Sequence, residues 1–181
     1  MSDAVIRRAR VEDAEALTDL HLDVWEEAYA GLIADDVLAA RRAGRADRVE
    51  RWRGILAASP DPTWLAESDG RLLGFSGTAA EGRDDREPGL PRLELMALYV
   101  RAELYGAGLG HRLLQAAIGD APAYLWVLDG NARAIAFYER QGFGFDGRTK
   151  TEPVGIERRM VRRSGGAGST TASPRPAPPT P

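Results

Sequence analysis

Three glycines at alternate positions lie in the segment Tyr105-Gly106-Ala107-Gly108-Leu109-Gly110, between a strand-like run and a helical pattern. Glycines let backbone N–H groups approach a phosphate closely, and the positive end of a helix dipole adds a favourable field. The segment therefore predicts an anion site that needs no basic side chain. A nucleotide loop fits less well, because no Gly-Lys-Ser/Thr follows and the spacing is not GxGxxG. Glycines that only permit a tight turn and close helix packing are the competing interpretation.

A second group of residues occupies one face of a later helical pattern. Asn131, Ala134 and Tyr138 are spaced at i, i+3 and i+7, so their side chains project in the same direction. Asn131 stands at the helix start, where it could serve only as an N-cap. Tyr138 could be only a core aromatic with its hydroxyl at the surface. Both interpretations stay open when these residues are taken alone.

One carboxylate interrupts the longest strand candidate, Arg92 to Val100, in which both faces are otherwise apolar. Such a pattern indicates a central strand covered on both sides, and it places Glu94 in the interior. An isolated buried carboxylate is unfavourable unless it is paired. Glu94 is therefore either a functional group or a carboxylate that is hydrogen-bonded to a neighbouring arginine.

Hydrophobic periodicity predicts the elements that hold these residues in place. Three helical pieces come first, and they are Leu17 to Tyr29, a short helix capped by Asp35-Asp36, and Val49 to Leu56. The strand-like runs are Ala4 to Arg8, Thr63 to Glu67, Leu72 to Thr78, Arg92 to Val100, Tyr124 to Leu128 and Ile156 to Val161. Helices of about Gly108 to Ile118 and Ala132 to Gln141 separate the last three strands. Asp69-Gly70 predicts an antiparallel hairpin, and Glu81 to Pro91 and Thr149 to Gly155 are predicted to be loops.

Composition narrows the class of protein. The chain has 181 residues, of which 44% are apolar, and this suits one mixed α/β (α+β) domain. We assign that domain to residues 1–163 and interpret the Pro-, Gly-, Ser- and Thr-rich residues 164–181 as a disordered tail. The absence of cysteine excludes disulfides and thiolate metal sites. With only His21 and His111 as histidines, we expect no metal.

Charge and hydropathy exclude further classes. The formal net charge is -3, which gives no global attraction to nucleic acid. No stretch approaches the ~20 apolar residues that cross a bilayer. We therefore expect a cytoplasmic protein that is a monomer or homodimer and has neither a nucleic acid nor a membrane as its partner.

Taken together, the two motifs resemble those of the GCN5-related N-acetyltransferase (GNAT) family. The family's Arg/Gln-x-x-Gly-x-Gly/Ala signature corresponds to Tyr105 to Gly110, and its N-x-x-A-x-x-F-Y-E-x-x-G-F pattern is intact from Asn131 to Phe143. The resemblance extends over nearly all of residues 4–163. Tyr105 is a departure, because the family usually has Arg or Gln there, and the substitution removes a possible phosphate contact.

The resemblance implies a fold and a co-substrate. The fold would be a twisted sheet of about six or seven strands with about four or five flanking helices, in which two central parallel strands splay apart. Acetyl-coenzyme A would insert its pantetheine arm between them and place its pyrophosphate on the glycine turn. The implied cofactor contacts are Leu98, Tyr99, Val100, Tyr105, Gly106, Ala107, Gly108, Leu109, Gly110, Asn131, Ala134 and Tyr138.

The resemblance also implies roles in the chemistry. Tyr138 matches the position that protonates the coenzyme A sulfur, and a phenol with a pKa of ~10 is a proton donor at neutral pH. Glu94 resembles the general base of some members, acting through water. The acceptor would be a small-molecule or peptide amine, held by the first two helices and the two predicted loops. The candidate acceptor-binding residues are Trp25, Glu26, Tyr29 and Asp35, in which carboxylates would favour a cationic amine.

Two other functional classes remain open at the level of sequence. One is an acyl-coenzyme A sensor that binds without turnover, and the other is a protein-protein interaction module in which the glycines are only structural. Tyr138 and Glu94 favour catalysis over the sensor. The sequence does not identify the amine.

Overall fold

The central feature of the computed structural model, which describes residues 4–84 and 87–164, is a seven-stranded sheet of order β1-β2-β3-β4-β5-β7-β6. The strands are β1 (Val5–Arg8), β2 (Thr63–Ser68), β3 (Arg71–Ala79), β4 (Glu94–Val100), β5 (Ala123–Leu128), β6 (Gly144–Glu152) and β7 (Gly155–Arg162). Neighbouring strands run antiparallel except β4 and β5, which are parallel. This arrangement confirms the mixed sheet with a parallel central pair.

Helices cover both faces of the sheet. They are α1 (Ala14–Tyr29), α2 (Asp35–Ala43), α3 (Arg45–Ala58), α4 (Leu109–Ile118) and α5 (Ala132–Arg140). On β4, Ala97 and Tyr99 pack with α1 and α3, whereas Leu98 and Val100 pack with α4. The alternation of apolar side chains along β4 thus produces the doubly covered central strand that the sequence predicts.

The turn between β2 and β3 has the predicted hairpin geometry. Asp69 and Gly70 both have positive φ, at 51° and 76°, which is the combination that a tight hairpin turn requires. The two strands pair antiparallel from Thr63 opposite Gly77 to Ser68 opposite Arg71.

The prediction of a loop over Thr149 to Gly155 is wrong. Residues up to Glu152 belong to β6, which pairs antiparallel with β7, so that Pro153 and Val154 make the turn. β6 lies at the edge of the sheet and is mostly exposed. An edge strand of this kind lacks the apolar alternation by which strands are recognised in sequence. The predicted tail falls almost entirely on residues 165–181, outside the described residues.

Candidate active site

A cavity of about 340 Å³ lies between the two parallel strands. β4 and β5 are paired at Glu94 and Tyr124, at their amino-terminal ends, and the backbone N–H of Tyr124 donates to the Leu93 carbonyl at 3.0 Å. Further along, residues of both strands line the cavity, including Leu95 to Val100 on β4 and Trp126 on β5. The strands therefore splay apart toward their carboxyl ends.

The splay leaves backbone groups of β4 without a strand partner. One edge of β4 is paired with β3 as far as Val100, which lies opposite Gly74. On the other edge, β4 has no pairing with β5 beyond Glu94 and Tyr124, and the residues Met96 to Val100 line the cavity there. Buried backbone groups require hydrogen-bond partners. An extended ligand with amide groups would supply them.

The glycine turn forms one end of the cavity. Gly106 and Gly108 both have φ 82°, a left-handed conformation that disfavours other residues. The first N–H groups of an α-helix have no intrahelical acceptors. In α4 the N-cap is Gly108, which has no side chain to accept from them. Tyr105, Gly106, Gly108 and Gly110 line the cavity. Of the other two residues of the turn, Ala107 is exposed at the surface and the side chain of Leu109 packs in the core. This geometry fits a phosphate.

A cation lies over the residue that departs from the family signature. The guanidinium carbon of Arg133, in the first turn of α5, is 3.6 Å from the centroid of the Tyr105 ring. Both residues line the cavity beside the glycine turn. Tyr105 thus provides a cation–π platform that places a positive charge near the turn. No pattern in the sequence predicts this pairing, because the two residues lie on different elements.

Asn131 and Tyr138 both line the cavity from α5. Asn131 is the N-cap of the helix, and its side-chain oxygen accepts a hydrogen bond from the N–H of Ala134, another cavity residue, at 3.2 Å. Tyr138 is 8% exposed and packs edge-on against Phe137 and Phe143. Burial raises the pKa of Tyr138 above its ordinary value, so the phenol keeps its proton at neutral pH.

Three hydrogen-bonded aromatic side chains lie beside the cavity on the α1 side. The indole Nε1 of Trp25 donates to the Tyr99 hydroxyl at 3.1 Å, and the Tyr29 hydroxyl lies 3.1 Å from the same oxygen. Tyr29 and Tyr99 line the cavity. Burial raises the pKa of both phenols. Tyr29 thus lines the cavity, and Trp25 contacts a residue that lines it; their role in binding the acceptor stays a prediction.

The two acidic candidates on this side do not line the cavity. Glu26 pairs with Arg42 on the surface, with Oε1 2.5 Å from Nε. Asp35 is exposed at the first turn of α2. Neither residue is among the described residues that line the cavity. An acceptor in the cavity therefore does not contact these two carboxylates in this arrangement.

Glu94 is fully buried and is held by several donors. The guanidinium of Arg83 binds Oε1, while the Arg83 backbone N–H and the Tyr124 hydroxyl donate to Oε2 at 2.8 and 3.0 Å. Gly82 packs so closely on Tyr124 and Glu94 that a side chain there would collide with them. The part of β4 that lines the cavity begins one residue later, at Leu95. These contacts favour the paired-carboxylate interpretation of Glu94.

The two histidines have different environments. His21 packs between the rings of Trp52, Phe75 and Tyr99. Burial, followed by the charge of Arg41, lowers the pKa of His21 to about 3, so this histidine is neutral. His111 lines the cavity near the glycine turn, and its Nδ1 is 2.8 Å from Oε1 of Gln141.

The described part of the chain holds neither a cluster of metal ligands nor a membrane-spanning helix. No group of three or more His, Cys, Asp or Glu residues within it could hold a metal ion. None of its helices is long and apolar enough to cross a membrane.

Comparisons with known proteins agree with this geometry. A model of the Acetyltransferase (GNAT) family matches residues 15–143. A probable N-acetyltransferase of Mycobacterium tuberculosis is 30% identical over 153 residues, which cover 83% of this chain and 85% of that protein. The peptidyl-lysine N-acetyltransferase YjaB of Salmonella typhimurium is 28% identical over 152 residues, covering 83% and 90%.

A solved structure shows the same fold. The PaiA N-acetyltransferase of Thermoplasma acidophilum, in complex with coenzyme A, is similar with a TM-score of 0.66 and 20% identity. The match covers 90% of this chain and 99% of that one.

Proposed function

The chain belongs to the acetyltransferase (GNAT) family, and from this premise we propose that it transfers an acetyl group from acetyl-coenzyme A to a primary amine by direct attack in a ternary complex. The observation that carries the proposal is the part of β4 from Met96 to Val100, which lines the cavity and has no pairing with β5. Pantetheine carries two amides, which match an unpaired strand edge of this kind. We assign this activity to residues 1–163.

The proposed cofactor site extends from the glycine turn into the splay. The pyrophosphate binds the N–H groups at Gly106 to Gly110, where the helix dipole of α4 is favourable. Arg133, stacked on Tyr105, supplies a cation in place of the missing Arg or Gln of the family signature. The pantetheine arm pairs with the backbone of Leu98 to Val100, and Asn131 and Ala134 border it from α5. The thioester then lies near Tyr138.

The reaction needs one bond to form and one to break. The amine nitrogen attacks the acetyl carbon, and the carbonyl oxygen becomes an oxyanion that a backbone N–H between Leu98 and Val100 stabilises. Collapse of this intermediate breaks the C–S bond, and Tyr138 gives its proton to the thiolate. The amine releases its own proton to water. Proximity in the ternary complex supplies much of the rate, so no covalent enzyme intermediate is required.

The acceptor approaches from the side of α1, where the hydroxyls of Tyr29 and Tyr99 border the cavity. Trp25 holds Tyr99 in place through its indole N–H. Glu94 keeps the segment at Arg83 and Asp84 close to the sheet rather than contacting the reacting atoms.

A panel of primary amines tests the proposal, with release of free coenzyme A thiol as the signal and mass spectrometry of the acetylated acceptor as confirmation. We expect equal amounts of thiol and acetylated amine. Thermal stabilisation by acetyl-coenzyme A without thiol release on any amine would instead identify a sensor that binds without turnover. No stabilisation at all would identify an interaction module.

A further inference from the structure

Arg41 on α2 is a guanidinium held among aromatic rings. Its guanidinium carbon lies 3.9 Å from the centroid of the Trp25 ring, and its Nη2 is 3.1 Å from Nε2 of His21. His21 is neutral, so it offers this cation a lone pair but no negative charge. The Nε of Arg41 is buried and has no hydrogen-bond partner in the described part of the chain.

A second arginine increases the positive charge at this place. Arg48 on α3 donates from Nε to the backbone carbonyl of Arg41 at 3.1 Å. Burial, followed by the nearby charge of Arg48, lowers the pKa of Arg41 to about 10. Burial also lowers the pKa of Arg48. Two partly buried guanidinium groups therefore lie together, which is unfavourable unless an anion compensates them.

Neighbouring arginines are neutralised, whereas these two are not. Arg42 pairs with Asp23 and Glu26, and Arg45 pairs with Asp19. Within residues 4–84 and 87–164, no ion pair joins Arg41 or Arg48 to a carboxylate. A buried polar group without a partner calls for a specific explanation, such as a bound ion or ligand.

The position of Arg41 connects it to the proposed acceptor side. The Trp25 ring on which Arg41 stacks also donates its N–H to Tyr99, and Tyr99 lines the cavity. The charge of Arg41 also acts on the Tyr99 hydroxyl, whose pKa it lowers against the larger effect of burial. By contrast, the described residues that line the cavity include no carboxylate that would attract a second ammonium group.

We propose that Arg41 and Arg48 bind a carboxylate of the acceptor, so that the acceptor class is amines that also carry a carboxylate, such as amino acids. The proposal rests on the proposed acetyltransferase function and narrows its substrate class. Arg41 acts as a specificity-determining residue, because its planar guanidinium matches the two oxygens of a carboxylate.

Matched acceptors test the proposal. The ω-amino acids from β-alanine to aminohexanoate are each compared with their carboxamides, which differ in the distal charge. Wild-type protein should prefer the carboxylate by about 10- to 100-fold in kcat/KM at the best chain length, the range for a hydrogen bond to a charged group. Equal kcat/KM values for acid and amide at every length would overturn the proposal.

Variants separate recognition from a structural role. Arg41→Met should abolish the preference for the carboxylate while the melting temperature stays equal or rises, because an unpaired buried charge is removed. The matched control is Arg42→Met on the adjacent surface position, which should keep the preference. An Arg41→Met protein with a lower melting temperature and equal losses on acids and amides would show that Arg41 only supports the fold.

A binding measurement keeps this test independent of turnover. Glutarate, which has carboxylates but no amine, should raise the melting temperature of the wild type and of Arg42→Met but not that of Arg41→Met. If no amine is acetylated but this pattern holds, the acetyltransferase proposal fails and the carboxylate site stands. The site would be overturned if glutarate did not raise the melting temperature of the wild type. It would also be overturned if glutarate raised the melting temperature of Arg41→Met by the same amount.

Discussion

Replacement of Gly108 by Glu is the sharpest test of the proposed cofactor site. Gly108 has φ 82°, and a Cβ placed there would meet nothing within 4 Å, so a side chain can leave the backbone at this position without a collision. The left-handed backbone costs a non-glycine residue about 1–2 kcal/mol, which for a protein of this size lowers the melting temperature by about 2–8 °C. The variant should therefore fold.

The same side chain would occupy the space over the turn and repel a pyrophosphate. Two like charges about 4 Å apart repel by about 1 kcal/mol in water and about 4 kcal/mol at an effective dielectric constant of 20. That range alone corresponds to about 5- to 1000-fold weaker binding of acetyl-coenzyme A, and steric overlap adds to it. Isothermal titration calorimetry measures this loss directly.

Gly70→Glu is the matched control, because Gly70 has φ 76° and also has nothing within 4 Å of its Cβ position. It lies in the β2–β3 hairpin, so it carries the same backbone cost without approaching the cavity. We expect similar melting temperatures for the two variants and normal binding only in Gly70→Glu. A Gly108→Glu protein that binds acetyl-coenzyme A as tightly as the control would refute the reasoning.

Three further predictions concern ionisable side chains. Arg133→Met should weaken coenzyme A binding, measured by calorimetry, by about two- to fivefold, which is the range for an exposed ion pair. Pantetheine binding should be unchanged, and equal effects on both ligands would contradict a phosphate contact. Glu94→Gln should lower the melting temperature, because Arg83 loses its charged partner. The fall of kcat/KM on the acid side of the pH profile should be kept in this variant, and its loss would identify Glu94 as the base. Because burial depresses the pKa of folded His21 to about 3, its contribution to stability is present above about pH 6.5 and is lost as the pH falls toward 3. His21→Gln should therefore reduce the loss of urea stability between about pH 6.5 and pH 4, whereas an unchanged slope would contradict the neutral, buried state.

Features set by local backbone chemistry could be predicted from the sequence. The glycine turn at Gly106 to Gly110 and the N-cap at Asn131 depend on residues close in the chain, and the structure has both. The hairpin at Asp69-Gly70 is another such case. In each of them the conformation follows from which residues tolerate positive φ or cap a helix.

Features that depend on contacts between distant elements could not be predicted. Arg83, the partner of Glu94, lies in a segment without periodicity that folds back onto the sheet. The stacking of Arg133 on Tyr105 requires α5 and the glycine turn to meet in space. Glu26 is on the expected helix, but the packing of α2 provides Arg42 as its partner. Sequence spacing alone does not define such long-range pairs.

Tyr138→Phe measured against the wild type tests the central claim most directly, since the change removes one hydroxyl and keeps the packing against Phe137 and Phe143. Both proteins are assayed on the best amine by thiol release, with acetyl-coenzyme A affinity from calorimetry. Turnover should fall by about 10²- to 10⁴-fold, the range for a positioned proton donor, while affinity changes little. Full turnover in Tyr138→Phe, with chemistry shown to be rate-limiting, would contradict the assignment of Tyr138 as the acid.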